Sequence, residues 1–383
     1  MIDINKVRHI KTPFYYYDME LLKKTIDIVK KESSQYGYHV HYALKANFDE
    51  RVVSAMVEAG FGADCVSGNE VRYAIEKGVS PSKIVFAGVG KSDDEINYAL
   101  QQGIFAFNCE SKSELEVINE LAQQMGVVAR VALRINPNIN PNTHKYITTG
   151  SGDNKFGISP IELKAIISEL SELRSVKVEG LHFHIGSQIM DLSDFEKLAG
   201  RVNELQEWFE EKGLHFSSIN VGGGLGIDYT NPLETPIPDF KSYFKIFADR
   251  LMLREGQQVH FELGRSLVGQ CGTLITRVLY NKLTAAGTEF VIVDAGMTDL
   301  IRPSLYQAKH YISNISSIFV EKKRYNVGGP VCESSDVFDK DIELPVTSRG
   351  DVLAVSSVGA YGQSMSSHYN LRDLAKSVYS DNV

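Results

Sequence analysis

The chain has 383 residues, of which 43% are hydrophobic and 23% charged, and its formal net charge at pH 7 is -8. This composition is typical of a globular protein with room for one large and one small domain, and the acidic balance argues against nucleic-acid binding, which needs basic patches. No apolar stretch reaches the roughly 18 residues that span a bilayer, and the N-terminus lacks the apolar core of a signal peptide. We therefore expect a cytoplasmic protein that binds neither nucleic acid nor membranes.

Short apolar runs alternate with amphipathic stretches through about the first 267 residues. The runs predict buried strands, and the stretches predict helices because their apolar residues recur every three or four positions. Eight strands are the number in a closed parallel (β/α)8 barrel, an α/β fold that we place at residues 25–267; an open doubly wound sheet is the alternative. The predicted strands are 40–44, 63–66, 83–88, 104–108, 129–135, 178–185, 218–221 and 258–262, and the clearest helices are 50–59, 68–77, 93–101 and 113–125.

Polar and glycine residues at the strand ends favour the barrel over the open sheet. Lys45, Asp64, His184, the glycines 222–224 and Glu262 all lie at the downstream ends of predicted strands. In a barrel these ends share one face, where catalytic groups gather, whereas an open sheet would spread them along an edge. The barrel therefore predicts one site built from residues that are far apart in the sequence.

After about residue 267 the pattern changes to short apolar runs separated by Gly, Asn, Asp and Pro, which predict a β-domain. An N-terminal run at residues 13–18 also has the pattern of a strand and could pair with that domain, because the chain ends of a domain often lie close together. We therefore assign residues 1–24 and 268–383 to the β-domain. Its other predicted strands are 272–280, 289–294, 312–319, 324–327 and 352–356.

The four cysteines are far apart and form no CxxC pair, so we expect no disulfide framework and no metal site. Cys332 follows Gly-Gly-Pro in a turn-rich segment, which favours exposure and chemistry. Cys65, Cys109 and Cys271 are interpreted as structural residues, because a free cysteine is usually a small buried hydrophobe.

Lys45 follows the first predicted barrel strand, where burial disfavours its charged form. A lysine that gives up its proton can attack a carbonyl, and lysine is the residue that forms Schiff bases with aldehyde cofactors such as pyridoxal phosphate (PLP). For this segment alone, a solvated lysine at a strand end is the simpler interpretation. The choice between a Schiff-base lysine and a solvated lysine depends on the other segments of the chain.

A glycine run at residues 222–226, interrupted by Leu225, follows the seventh predicted strand. Consecutive glycines let backbone N–H groups surround a phosphate, and barrels often hold phosphate on their late loops; a plain tight turn is the alternative. The run is not GxGxxG, so a dinucleotide site is disfavoured. Ser187 could also bind phosphate, and His184 could pack on a cofactor ring. Metal ligation is an alternative for His182 and His184, but no carboxylate lies at matching spacing, and a core position is favoured for His182.

Glu262 and Arg265 lie at the end of the eighth predicted strand. A carboxylate there could hold the protonated pyridine nitrogen of PLP and strengthen the ring as an electron acceptor. Arg265 offers a fork for phosphate or carboxylate. A surface ion pair between the two residues is the alternative.

Seven segments, in order along nearly the whole chain, resemble the fold-type III PLP-dependent decarboxylases, and among them those that act on diaminopimelate. The resemblance implies an alanine-racemase-like barrel plus a β-domain, PLP as the cofactor, and a homodimer whose subunits share the active site. The segments are residues 42–47 (YALKAN), 182–187 (HFHIGS), 222–224 (GGG), 262–265 (ELGR), 302–306 (RPSLY), 332–334 (CES) and 360–362 (AYG).

The resemblance also implies a role for each matching residue. The catalytic residues are Lys45, which holds the cofactor, and Cys332, which donates a proton and reaches in from the other subunit. The implied cofactor-binding residues are Lys45, Asp64, His184, Ser187, Gly223, Gly224, Glu262, Gly264, Arg265 and Tyr361, and the implied substrate-binding residues are Arg265, Arg302, Tyr306, Glu333 and Tyr361.

The charges at the distal end of diaminopimelate support it as the substrate. Diaminopimelate carries a distal carboxylate, which calls for a cation, as well as a distal ammonium; Arg302 and Glu333 supply the two partners, and a surface salt bridge is the alternative for Arg302. The expected reaction converts meso-2,6-diaminopimelate to L-lysine and CO2, the last step of lysine biosynthesis. The alternatives are a decarboxylase of another basic amino acid or of a carboxylated polyamine, and a non-catalytic PLP-fold regulator.

Two departures from the family pattern stand out. Leu263 occupies a position where proline is common, which leaves Glu262 and Arg265 intact. After Arg372 the usual continuation and final strand are not recognisable, so the packing of the C-terminus is not predicted.

Overall fold

The computed structural model describes residues 2–137, 139 and 155–383. The chain divides into two compact units: a barrel unit, Ile26–Gly226 with Asp239–Gly264, and a sheet unit, Met1–Thr25 with Ile227–Pro238 and Arg265–Val383. The domain division at residues 25 and 267 stays a prediction; residues 227–238, which it assigned to the barrel, group with the sheet unit. None of the described helices is long and apolar enough to cross a membrane.

Eight parallel strands close into a barrel, which confirms the predicted fold. After β1 (Phe14–Tyr17), the barrel strands are β2 (His39–Ala43), β3 (Gly62–Cys65), β4 (Ile84–Phe86), β5 (Ala106–Cys109), β6 (Ala129–Arg134), β7 (Val176–His182), β8 (Ser218–Asn220) and β9 (Gln258–Leu263). The barrel is closed because β2 pairs with both β3 and β9, whereas an open sheet would leave two edges. Each predicted barrel strand is therefore present, with limits that differ by a few residues at most.

Several helices that follow barrel strands begin at serine caps. Ser92 and Glu95 form a reciprocal capping box at one helix, and Ser67, Ser111 and Ser159 cap three others. The helices are α1 (Ile4–Val7), α2 (Met19–Ser34), α3 (Glu50–Glu58), α4 (Gly68–Glu76), α5 (Asp93–Gln102), α6 (Lys112–Met125), α7 (Pro160–Glu169), α8 (Ser193–Glu210), α9 (Phe240–Arg250), α10 (Arg265–Val268) and α11 (Arg302–Tyr306).

Side-chain alternation along β9 determines the direction in which Glu262 points. Phe261 packs against Tyr243 and Phe244 of α9, with ring centroids 5.7 and 4.9 Å away. Burying such a ring contributes roughly 2 kcal/mol. Since neighbouring residues of a strand point to opposite faces, His260 and Glu262 point away from α9 and into the barrel.

Three histidines pack together in the first halves of β2 and β9. His41 Nε2 lies 2.9 Å from His260 Nδ1, His41 Nδ1 lies 3.0 Å from the Lys83 carbonyl oxygen, and the His39 ring stacks on His260 with centroids 4.9 Å apart. Burial lowers the pKa of His41 to about 4, and burial with the neighbouring histidines lowers the pKa of His260 to about 2. Both buried rings are therefore neutral at pH 7.

The sheet unit is built on one mixed sheet, with the strand order β12-β15-β10-β11-β13-β14. Its strands after β1 are β10 (Gly272–Leu283), β11 (Glu289–Val293), β12 (Ile312–Asn314), β13 (Lys322–Gly328), β14 (Val337–Pro345), β15 (Val352–Val355) and β16 (Lys376–Tyr379). The N-terminal strand β1 pairs antiparallel with β10 and parallel with β16. The predicted pairing of the N-terminal run with the β-domain is confirmed.

The structure differs from the predicted sheet at three places. The strand predicted at 312–319 ends at Asn314, and the apolar side chains of Ile318 and Val320 are 89% and 94% exposed. Strand β14 was not predicted, because it is an end strand of the sheet order in which charged residues interrupt the apolar alternation. Strand β16 was not predicted either; it provides the C-terminal strand that the sequence left unassigned.

Candidate active site

Lys45 and Asp64 meet at the ends of the first two barrel strands. β2 ends at Ala43, and Lys45 lies in a single 3-10 turn directly after it. Lys45 Nζ donates to Asp64 Oδ2 at 3.0 Å, and the side chains are 39% and 1% exposed, respectively. Asp64 Oδ1 is buried and has no hydrogen-bond partner in the described part of the chain. The amine is thus accessible and held beside a carboxyl group that can still accept a hydrogen bond.

Glu262 is held by three side chains that come from three other barrel strands. Oε1 accepts from Asn108 Nδ2 at 2.9 Å and from Asn220 Nδ2 at 2.7 Å, while Oε2 lies 2.9 Å from His182 Nε2. A carboxylate has about four acceptor positions, so the described residues fill three and leave one on Oε2. The glutamate is therefore fixed in orientation with one acceptor position left for a ligand.

The pKa values of the two buried carboxyl groups are shifted in opposite directions. Burial and the charge of Glu262 raise the pKa of Asp64, although Lys45 opposes them. Burial acts to raise the pKa of Glu262 as well, but the charge and hydrogen bond of His182, together with Lys45, outweigh it and hold that pKa below its usual range. Glu262 is therefore an anion inside the barrel, as a partner for a protonated ring nitrogen must be.

His184 is a neutral imidazole just beyond the end of β7. The backbone N–H of Gly223 donates to its Nδ1 at 3.3 Å, which requires a lone pair on that nitrogen. Burial and the charges of Arg134 and Lys45 lower the pKa of His184 well below its ordinary value, in agreement with this hydrogen bond. An uncharged flat ring suits packing against another ring.

The glycine turn after β8 depends on its glycines. Gly224 has a φ of +105°, and a Cβ atom there would lie 2.6 Å from the Gly186 carbonyl oxygen. A Cβ atom on Gly223 would lie 1.9 Å from the carbonyl oxygen of Glu262. The backbone N–H of Gly224 has no hydrogen-bond acceptor within residues 2–137, 139 and 155–383. This free donor in a glycine turn is what a phosphate oxygen requires.

The residues of the barrel unit fit PLP by their donor chemistry. Lys45 supplies an amine for the aldehyde and Glu262 an anion for the ring nitrogen, while Gly224 supplies an N–H, without an acceptor among the described residues, for the phosphate. No group of three or more His, Cys, Asp or Glu side chains in the described ranges has an arrangement that could hold a metal ion.

In the sheet unit, Arg265 lies among two tyrosines at the start of α10. Its Nη1 donates to Tyr229 Oη at 2.6 Å, and its guanidinium lies 4.9 Å from the centre of the Tyr361 ring. Arg265 is 6% exposed. A buried guanidinium stacked on an aromatic ring is rigid enough to bind phosphate or carboxylate with fixed geometry.

Arg302, at the start of α11, also contacts Tyr229. Its Nη1 donates to Tyr229 Oη at 2.9 Å and lies 2.9 Å from His310 Nε2, and the residue is 4% exposed. Burial lowers the pKa of Arg302, and Arg265 contributes to the lowering. The predicted substrate residues Arg265 and Arg302 therefore meet at Tyr229, and Tyr361 lies against Arg265. Tyr306 lies half-buried at the end of α11.

Cys332 and Glu333 lie in an exposed loop that is tied to the segment around residue 370. The Cys332 backbone N–H donates to Asn370 Oδ1 at 3.0 Å, and Tyr369 Oη donates to Glu333 Oε1 at 2.7 Å. Asp336 anchors the base of the loop through the backbone N–H groups of Val331 and Met297. Cys332 is the exposed cysteine and the other three are buried, as expected.

Five residues that the structure brings to the candidate site are not among the predicted site residues. The sequence favours a core position for His182 and does not distinguish Asn108 or Asn220. His182 and Asn220 are the last residues of β7 and β8, and Asn108 is the next-to-last residue of β5. Tyr229 and His310 carried no signal, because their importance comes from the arginines that they contact. The strand-end position was the one signal that could have identified Asn108 and Asn220.

Comparison with known proteins decides the family. Residues 21–269 match the family model described as pyridoxal-dependent decarboxylase, pyridoxal binding domain. The diaminopimelate decarboxylase of Bacteroides thetaiotaomicron is 53% identical over 381 residues, which cover 99% of this chain and 98% of the relative. The chain belongs to the pyridoxal-dependent decarboxylases. Within them it is a member of the diaminopimelate decarboxylase family, and its cofactor is PLP.

Solved structures of this family agree in fold. The diaminopimelate decarboxylase of Helicobacter pylori, crystallised with L-lysine, superimposes with a TM-score of 0.92 at 39% identity, covering 99% of this chain and 94% of that one. A lysine/ornithine decarboxylase of Vibrio vulnificus has a TM-score of 0.84 at 22% identity, which is a likeness of fold alone.

Proposed function

We propose that this PLP-dependent enzyme decarboxylates meso-2,6-diaminopimelate to L-lysine and CO2, the last step of lysine biosynthesis, with Lys45 and Cys332 as its catalytic residues. The observation that carries the substrate assignment is Arg302, a buried cation whose hydrogen-bond partners among the described residues are two uncharged side chains. A buried guanidinium without a carboxylate partner is costly unless an anion binds to it. The distal carboxylate of diaminopimelate is such an anion.

PLP, when bound, supplies an electron sink for the electron pair that remains when CO2 leaves. Lys45 holds the cofactor through its amine, next to Asp64. Glu262 stays ionised and keeps the proton on the ring nitrogen. His184 packs on the ring as a neutral imidazole. The proposed phosphate-binding residues are Ser187, Gly223, Gly224, Gly264, Arg265 and Tyr361.

The remaining polar residues recognise the substrate and deliver a proton. Arg302 binds the distal carboxylate, with Arg265, Tyr306 and Tyr361 nearby in the substrate set, and Glu333 binds the distal ammonium. Cys332 Sγ donates its proton to the α-carbon after CO2 has left. The sulfur is suited to this role because it is exposed on a loop that hydrogen bonds hold in place.

We further propose a cytoplasmic homodimer in which Cys332 and Glu333 serve the active site of the partner subunit. The exposure of this loop supports the proposal, and so does the neighbouring apolar surface of Tyr369 and Leu371, which are 48% and 96% exposed. We also propose residues 25–267 as the PLP-binding domain, with residues 1–24 and 268–383 as the β-domain.

The test is CO2 release from meso-diaminopimelate, L-lysine and L-ornithine in the presence of PLP. We expect turnover of diaminopimelate, and an Arg302→Ala variant with at least about 30-fold lower kcat/KM, because losing a buried charge partner costs about 2 kcal/mol or more. The matched control is Arg324→Ala, which removes an exposed arginine paired with Asp341 and should leave the rate unchanged. Activity on ornithine or lysine but not on diaminopimelate would refute the proposal.

A further inference from the structure

Among the described residues, the guanidinium of Arg302 forms hydrogen bonds through one of its three nitrogens. Both hydrogens of Nη1 are engaged, one by Tyr229 Oη and one by His310 Nε2, each at 2.9 Å. In the described ranges, Nε and Nη2 have no hydrogen-bond partner, and no carboxylate forms an ion pair with Arg302. The Nε–Nη2 edge is one of the two edges through which an arginine binds a carboxylate with two parallel hydrogen bonds.

His310 can accept this hydrogen bond because its ring is neutral and its tautomer is defined. Its Nδ1 lies 2.9 Å from the carbonyl oxygen of Ser356, which can only accept, so Nδ1 carries the hydrogen and Nε2 has the lone pair. His310 is 4% exposed, and burial with the nearby charge of Arg302 lowers its pKa to about 3. The histidine thus contributes an acceptor without contributing charge.

Tyr229 completes the arrangement from the other side. Its hydroxyl oxygen accepts from Arg302 Nη1 and from Arg265 Nη1, and the Arg302 guanidinium lies 4.9 Å from the centre of its ring. The Tyr229 ring also makes an edge contact with His310, with centroids 5.0 Å apart. Arg302 is therefore held by two neutral side chains that also contact each other.

We propose that His310 and Tyr229 are positioning residues for substrate selection: they occupy both hydrogens of Arg302 Nη1 and fix the guanidinium with its Nε–Nη2 edge left for the distal carboxylate. The inference rests on the proposed function, since it assumes that this carboxylate is what Arg302 binds. Acidic partners at the same two positions would hold the arginine equally well, but they would neutralise the charge that the substrate needs. Neutral acceptors keep that charge available.

The experiment compares two ligands that differ only in the carboxylate. L-lysine retains the distal carboxylate of diaminopimelate, and cadaverine is the same diamine without it. In the PLP-loaded enzyme, we expect His310→Leu to weaken L-lysine binding and to raise the KM for diaminopimelate by about tenfold, the order expected for one lost hydrogen bond to a charged group. Cadaverine affinity and kcat should change less than about twofold, because His310 does not contact the reacting carbon.

Two further variants separate positioning from a general effect on folding. His310→Gln keeps an acceptor and a donor on one side chain, so it should recover most of the L-lysine affinity. Tyr229→Phe should weaken L-lysine binding like His310→Leu, and it should also weaken PLP binding, because Tyr229 contacts Arg265 as well. Thermal unfolding of each variant checks that it is folded, and Tyr229→Phe keeps the test decisive if His310→Leu does not fold.

The results separate a failure of the positioning role from a failure of the proposed function. Equal losses for L-lysine and cadaverine, or no loss for L-lysine in either His310→Leu or Tyr229→Phe, would overturn the positioning role while the function stands. A wild-type enzyme that binds L-lysine and cadaverine equally well, or that releases no CO2 from diaminopimelate, would instead overturn the proposed function.

Discussion

The paired histidines of the barrel predict a loss of stability in mild acid. His41 and His260 are 3% exposed each, bonded to each other, and have pKa values lowered to about 4 and about 2. In the unfolded chain a histidine titrates near about 6.5. Below that pH the two histidines are protonated in the unfolded chain but stay neutral in the folded chain, so folding stability falls as the pH falls.

The size of the effect follows from the difference between the unfolded-state and the folded-state pKa of each histidine. Between these two values, each histidine lowers the free energy of unfolding by about 1.4 kcal/mol per pH unit of acidification, hence by about 2 kcal/mol from pH 6.5 to pH 5. The two rings together account for about 4 kcal/mol. A domain stability of about 5–15 kcal/mol makes such a loss easy to measure.

The assay is urea unfolding of wild type and of the double variant His41→Gln, His260→Gln at pH 8 and pH 5. The double variant should be less stable than wild type at pH 8 but should lose about 4 kcal/mol less on acidification, since glutamine does not titrate. His215→Gln, which changes an exposed histidine, is the matched control and should behave as wild type. An equal acid loss in wild type and double variant would refute the reasoning.

Three further predictions concern the active site. Glu262→Gln keeps the shape but removes the anion, so CO2 release should fall at least about 100-fold while PLP absorbance shows that the cofactor is still bound; an unchanged rate would contradict the assigned role. Cys332→Ser should lower kcat about 100-fold with little change in KM, whereas Ser334→Ala, in the same loop, should not; a loss in KM alone would speak against proton donation. Gly224→Ala should weaken PLP binding because its Cβ would lie 2.6 Å from a carbonyl oxygen, whereas Gly213→Ala, also at positive φ but with nothing within 4 Å, should bind PLP normally; equal effects would mean that strain alone is responsible.

The barrel was predictable because its signal is local. Each strand is a short apolar run and each helix has its own apolar spacing and often its own cap, so the count of eight could be made without any tertiary contact. Strand β14 lacked that signal, because its alternation is broken by the charged residues that an end strand tolerates. Strand β16 is only four residues long and depends on pairing with β1.

The candidate site was predictable only in part. Lys45, Glu262 and Cys332 were singled out because their chemistry is unusual at a strand end or in a glycine-framed loop. Asn108 and Asn220 were not, since an asparagine has no comparable chemistry until its partner is known. The structure shows that partner to be Glu262.

The sequence by itself determined the order of strands and helices, the glycine turn and the chemical groups that a PLP decarboxylase needs, because those depend on residue types and short-range spacing. Tertiary structure decided the charge states and the fixed orientations. Glu262 is an anion because residues from three other strands converge on it, and Arg302 keeps its charge for a ligand because its partners Tyr229 and His310 are neutral. Such convergence arises from barrel closure and long-range packing, which no local pattern encodes.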